Sequence, residues 1–166
     1  MRCEERTIVP KDGREAILRS PGAADAQEML RYIRQMCGET EFVGRYPEEV
    51  TETLQDEEKL LEETAASSRS IQVSVFRDGK IIGNASISPC SERLKIRHRA
   101  DFGIAVLRPW WGLGVGKILT EECLAQPRRW VIHWLNSACW RKTGQEKSCT
   151  AHAVLKHSEG LKTQYS

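Results

Sequence analysis

The sequence has no apolar run long enough to span a bilayer. Its six cysteines stand at 3, 37, 90, 123, 139 and 149, and no two form a Cys-x-x-Cys pair. Reduced thiols are therefore expected rather than a disulfide frame. A strong charge of one sign is missing too. The net charge is +2 over 166 residues, which gives no ground for a nucleic acid or membrane partner. The opening residues, MRCEERTIV, lack the apolar core of a signal peptide, so a cytoplasmic protein is expected. Two nucleotide-binding signatures also fail. A P-loop needs glycine five positions before Gly116, where Trp111 stands, and Ser or Thr after Lys117, where Ile118 stands. The dinucleotide pattern G-x-G-x-x-G meets Lys117 or Leu119 where its third glycine belongs.

The length fits one domain with a real core, and the composition is that of an ordinary globular protein. The chain is organised around residues 101–125, DFGIAVLRPWWGLGVGKILTEECLA. Phe102 to Leu107 is apolar and partly β-branched, which suits a buried strand. Arg108-Pro109 stops it, because proline has no N–H for a ladder. Gly112, Gly114 and Gly116 alternate, so the backbone can approach a ligand closely. Val115, Ile118, Leu119 and Cys123 then recur at helical spacing. A glycine loop feeding a helix offers unpaired N–H groups and the positive end of the helix dipole, which together suit an anion such as phosphate.

This stretch resembles the acetyl-CoA signature of the GCN5-related N-acetyltransferases. The family motif, (Gln/Arg)-x-x-Gly-x-(Gly/Ala), falls on Trp111, Gly112, Leu113, Gly114, Val115 and Gly116. Trp111 at the Gln/Arg position is the one departure. The resemblance implies acetyl-CoA as co-substrate. It assigns the backbone of Ile104, Ala105 and Val106 to the pantetheine arm. The loop amides from Trp111 to Lys117 would take the pyrophosphate. It also implies an α/β (α+β) fold, a mainly antiparallel mixed sheet flanked by helices.

The rest of the chain is read in order. Thr7–Val9 and Ala16–Leu18 flank Lys11-Asp12-Gly13-Arg14, and Asp-Gly signals a two-residue hairpin turn. Ser20-Pro21 reads as a helix cap. Ala26, Met29, Leu30, Ile33 and Cys37 predict a helix to about Cys37, ended by Gly38. Residues 39–50 form a connection, and in the resembled family this region shapes the acceptor pocket. Glu39, Glu41 and Tyr46 are thus candidates to face an amine, against a solvated loop with Phe42 packed inward. Thr51 reads as the cap of a second helix to about Ala65, with Leu54, Leu61 and Ala65 inward. Its acids, Glu57 among them, read as a solvated face. Ile71–Val75 and Ile81–Ser88 form a second hairpin about Arg77-Asp78-Gly79-Lys80. Asn84, inside the return strand, either bonds a substrate or satisfies a strand edge. Apolar residues at every second position from Leu94 to Val106 predict one long strand, with Asp101 on its opposite face.

These elements divide the chain into a core, 1–126, and a divergent tail, 127–166. The core carries 18 basic and 21 acidic residues and the tail 7 and 2. Trp130 to Leu135 reads as one strand. Beyond it there is no useful periodicity, and the family's Asn turn, Leu-Tyr helix and Gly-Phe strand have no counterpart. The C-terminal part of the fold is expected to be incomplete and irregular. A reading-frame change near codon 126 fits this break, and a genuine alternative C-terminus is its rival. His133, Cys139, Cys149, His152 and His157 are metal-ligand types without a second tight pair, so no metal is expected.

The chemistry implied is attack of a neutral amine on a thioester, which needs a base. Glu39, Glu41 and Asp101 are the carboxylate candidates, and Asn84 a candidate on the substrate side. His98 lies on the apolar register, which favours a packed histidine. The resemblance therefore implies an N-acetyltransferase acting on a primary amine of a small molecule or protein, without nucleic acid or membrane. The alternative is a catalytically impaired acyl-CoA-binding or interaction module, prone to self-association through an open sheet edge.

Overall fold

The computed structural model describes residues 1–39, 45–91 and 99–125, and the backbone of 134–137. The elements are β1 (Arg6–Ile8), β2 (Ala16–Arg19), α1 (Ala26–Glu39), α2 (Leu54–Ala66), β3 (Ile71–Arg77), β4 (Lys80–Pro89), β5 (Arg99–Val106), α3 (Val115–Ala125) and β6 (Trp134–Ser137). The strands form one sheet in sequence order, antiparallel from β1 to β5, with β6 parallel to β5. The expected mainly antiparallel mixed sheet flanked by helices is what the chain forms.

Alternation along the strands divides the core between the two faces of the sheet. On one face Leu18, Val73, Val75, Ala85 and Ile87 pack with Val115, Leu119 and Cys123 of α3. On the other, Phe76, Ile81 and Leu107 pack with Met29 and Tyr32 of α1 and Leu61 of α2. α3 lies close to β4 because Gly83 carries no side chain. A Cβ there would stand 3.1 Å from Leu119 Cδ1 and 3.2 Å from Val115 Cγ1.

Several local expectations are corrected, each by a contact from elsewhere in the chain. The β3–β4 turn has two residues, Asp78 and Gly79, both at positive φ (51° and 74°), as a type I′ turn requires. The β1–β2 connection instead runs from 9 to 15, because Ile8 pairs with Ala16. Only Gly13 has positive φ there, since the Asp12 carboxylate is held by Arg77. Ser20 caps nothing. Its hydroxyl donates to Gln72 O (2.7 Å) and accepts from Cys3 N (2.9 Å), tying strand ends together. α1 follows a 3-10 turn over 23–25 and continues through Gly38 to Glu39, whose carboxylate is anchored at both ends. α2 is capped by Thr53, because Asp56 three residues on completes a capping box that Thr51 lacks.

The second helix also faces differently from its charge pattern. Glu57 is 3% exposed, while Leu54 is 44% exposed. Burial, then the nearby Glu52, pushes the Glu57 carboxyl above the usual carboxylate range. The final strand lies at 134–137, displaced from the expected 130–135. The first part of the long strand, 94–98, lies outside the described residues. So do Glu41, Phe42, His98, Cys139, Cys149, His133, His152 and His157. The four described cysteines are free, and burial pushes the Cys3 and Cys123 thiols up to about 12. No described helix is long and apolar enough to cross a membrane.

Candidate functional site

The site begins where β5 loses a neighbour. Residues 99–102 of β5 pair with 134–137 of β6. Among the described residues, no strand lies beside 103–106 on that edge. Leu107 N donates to Ile82 O across to β4. Backbone groups alternate along a strand, so those of Ala105 also turn towards β4, while those of Ile104 and Val106 turn to the open edge. The Ala105 carbonyl is in fact taken by the Tyr32 hydroxyl at 2.8 Å. Of the three residues assigned to pantetheine, Ile104 and Val106 thus offer edge groups and Ala105 does not.

The open edge runs into the glycine loop. Gly112 and Gly114 have φ of +79° and +83°, which favours glycine. Gly116 needs no unusual φ. A Cβ at Gly116 would lie 3.9 Å from both Ile104 Cδ1 and Val106 Cγ2, an ordinary contact distance, so α3 has room for a methyl there. The first helical hydrogen bond of α3 runs from Ile118 N to Gly114 O. The amides of Val115, Gly116 and Lys117 precede it and have no intrahelical acceptor. Val115 and Gly116 border a cleft of about 170 Å³ whose walls include Val106, Trp110, Trp111 and Gly112. A diphosphate ester fits this arrangement: orphan amides, two glycines in left-handed conformation, and an open strand edge leading away.

Two side chains bond to the end of that edge. Trp111, at the position where the family motif has Gln or Arg, folds back so that its indole Nε1 donates to Val106 O at 2.6 Å. Glu39 Oε2 accepts from Arg108 N at 2.6 Å, while its Oε1 accepts from Gln35 Nε2 at 2.7 Å. Glu39 therefore stands at the outer end of the slot, near the loop. The Glu39 contact has no local sequence signal, since it joins residues 69 positions apart, whereas Trp111 reaches back only five residues.

The other candidates lie on the sheet face towards α1. Directly paired residues share a face, so Asn84 with Ala105, Ser86 with Gly103 and Ser88 with Asp101 form one polar, small-residue floor. Asp101 and Gly103 are exposed. Asp101 stands at the inner end of the slot, where β6 closes the edge. Asn84 Oδ1 accepts from Ser74 Oγ at 2.8 Å, so half of its amide is already satisfied within the sheet. Tyr46 is 74% exposed, and Lys117 points outward to pair with Glu121 at 3.7 Å. Among the described residues, no three His, Cys, Asp or Glu side chains gather as a metal site would.

One substitution tests the loop directly. Gly114→Val puts a β-branched side chain at φ +83°, a strain of about 2 kcal/mol that falls on the fold, and that side chain would block backbone approach to phosphate, so CoA affinity is expected to fall. Calorimetry with CoA reads this, and circular dichroism checks that the fold persists. Unchanged affinity would remove the loop from the site.

Known proteins were compared with this geometry. A family model described as the acetyltransferase (GNAT) family matches residues 30–145, a span that continues past 126 and includes β6. An acetyltransferase of the GNAT family from Streptococcus pneumoniae superposes with a TM-score of 0.69 at 25% identity, covering 74% of this chain and 73% of its own. A ribosomal-protein-alanine N-acetyltransferase from Brucella melitensis gives 0.61 at 22%, covering 72% of each chain. The PaiA N-acetyltransferase from Thermoplasma acidophilum, solved in complex with coenzyme A, gives 0.61 at 12%, covering 78% of this chain and 82% of its own. No curated protein matches the sequence significantly.

Proposed function

The chain belongs to the acetyltransferase (GNAT) family, and on that premise we propose that it transfers an acetyl group from acetyl-CoA to a primary amine of a small molecule or protein. The observation that carries this reading is the β5 edge, unpaired after Phe102 among the described residues, which ends on the orphan amides of Val115, Gly116 and Lys117. Acetyl-CoA supplies the activated thioester. Its diphosphate suits the amides, and its pantetheine amides suit the edge groups of Ile104 and Val106. Val106 O already accepts from the Trp111 indole, so a ligand N–H would take its second lone pair or displace the indole.

The loop lies at the outer end of the slot, so the acyl group belongs at the inner end. Val106 lies four residue steps from Phe102, about 13 Å at the usual strand rise. Asp101 is the described carboxylate at that inner end, which favours it over Glu39 as the group that takes the amine proton, directly or through water. An outward N–H at Ile104 is the donor for the thioester oxygen. The floor of Asn84, Ser86 and Gly103 then receives the acceptor, with Asn84 able to orient it. Gly103 leaves space there, because a Cβ would meet only Ser86 Oγ, at 3.7 Å.

A second reading keeps acyl-CoA binding but slow turnover. It rests on the two described tyrosines: Tyr32 is buried with its hydroxyl on Ala105 O, and Tyr46 stands in solvent. Neither meets the edge where a thiolate would leave. Much of the rate can still come from holding the reactants together.

Thermal shift with CoA, acetyl-CoA and ATP tests the proposal. At ~100 times the dissociation constant, CoA should stabilise by about 2.7 kcal/mol, with less from ATP. Equal shifts from both would count against a pantetheine slot. Free-thiol release from acetyl-CoA with a panel of amines then separates the two readings.

A further inference from the structure

We infer that Lys11, on the loop between β1 and β2, is a cofactor-binding residue whose ammonium pairs with the diphosphate of CoA. The inference rests on the acetyl-CoA reading above and adds a residue from a part of the chain outside the signature stretch. Lys11 N donates to Leu113 O at 3.0 Å, which fastens the two loops backbone to backbone. The side chain then runs over the glycine loop. Its Cγ and Cε each lie 3.8 Å from where a Cβ of Gly114 would be. The ammonium is one bond beyond Cε, beside the loop that leads into the orphan amides of Val115, Gly116 and Lys117.

The loop is held in this position from behind. Arg77 Nη1 and Nη2 donate to Asp12 at 2.6 and 3.2 Å, and Nη2 also donates to Arg14 O at 2.8 Å. The same guanidinium stacks on Trp110, a wall of the cleft, at 4.7 Å. Asp12 is thereby occupied by Arg77. Lys11 is exposed, and among the described residues no carboxylate pairs with it. A cation beside the glycine loop, with its neighbouring acid neutralised by another base, is arranged for an anionic ligand.

Calorimetry compares the full-length protein with Lys11→Met and Lys11→Arg, using CoA and dephospho-CoA across a range of ionic strength. Lys11→Met is expected to weaken both ligands about tenfold, the low end for a hydrogen bond between charged groups. Its affinity should depend less on salt than that of the wild type, since one screened charge pair is gone. Lys11→Arg should recover most of the loss. Unchanged affinity, or a wild-type salt dependence in Lys11→Met, would overturn the assignment. A loss seen with CoA but not with dephospho-CoA would also overturn it, because the partner would then be the ribose phosphate. Failure of the wild type to bind either ligand would instead refute the acetyl-CoA reading itself.

Discussion

Arg77→Ala is expected to lower stability by about 3 kcal/mol, the usual scale for removing one partner of a buried ion pair. Arg77 is 6% exposed and directly precedes the Asp78-Gly79 turn. Three hydrogen bonds and a stack on Trp110 fix it, and its Nε is buried without an acceptor among the described residues. Alanine would leave a cavity under Trp110 and free both Asp12 and the carbonyl of Arg14. Asp12 keeps some contact with water, which holds the effect at the lower end for this class. The loss should also depend on pH. Its hydrogen bond to Arg77 holds the Asp12 carboxyl below the usual carboxylate range. A depressed folded-state pKa contributes stability above the unfolded value, about 4, and that contribution fades as pH falls through the folded one. Urea unfolding at pH 7 should therefore show a larger gap between wild type and variant than at pH 3. Equal gaps would mean that Arg77 acts through packing alone. CoA affinity should fall as well, because loop 9–15 loses its anchor.

Asp101→Asn should slow acetyl transfer by about a hundredfold or more at neutral pH, the usual contribution of a positioned base. The side chain sits at the inner end of the open edge, on an exposed part of the floor beside Gly103. Asparagine keeps its shape but cannot accept the amine proton. The fall should appear in kcat, with CoA affinity unchanged by calorimetry. The acidic limb of the kcat/KM profile should flatten. Glu39→Gln serves as the comparison. Its carboxylate stands at the outer end, on Arg108 N, so turnover should change little. If Asp101→Asn keeps full turnover and Glu39→Gln loses it, the base lies at the other end of the slot and the acyl group has been placed backwards.

The sequence by itself determined the parts governed by near neighbours. The period of Val115, Leu119 and Cys123 gave α3 its buried face. The pair Asp78-Gly79 fixed a tight turn, because both residues tolerate positive φ. The glycines at 112 and 114 marked the loop through the φ values that only they adopt readily. The two hairpins set β1 beside β2 and β3 beside β4, whereas β2 beside β3 and β6 beside β5 follow connections through helices.

The tertiary structure decided what depends on residues distant in sequence. Asp12-Gly13 has the same signature as Asp78-Gly79, yet Arg77, more than sixty positions away, captures Asp12 and opens the turn into a longer loop. Glu57 belongs to an acidic run that reads as solvated, but the docking of α2 turned it inward. Nothing local told that Trp134–Ser137 would pair in parallel with Arg99–Phe102, since register is settled by pairing between strands. Likewise Glu39 reached the end of the β5 edge, and Lys11 the glycine loop, only because packing brought them there. Short-range steric preference is written residue by residue. The meeting of a charge with a distant partner is fixed only when the sheet and helices close on one another.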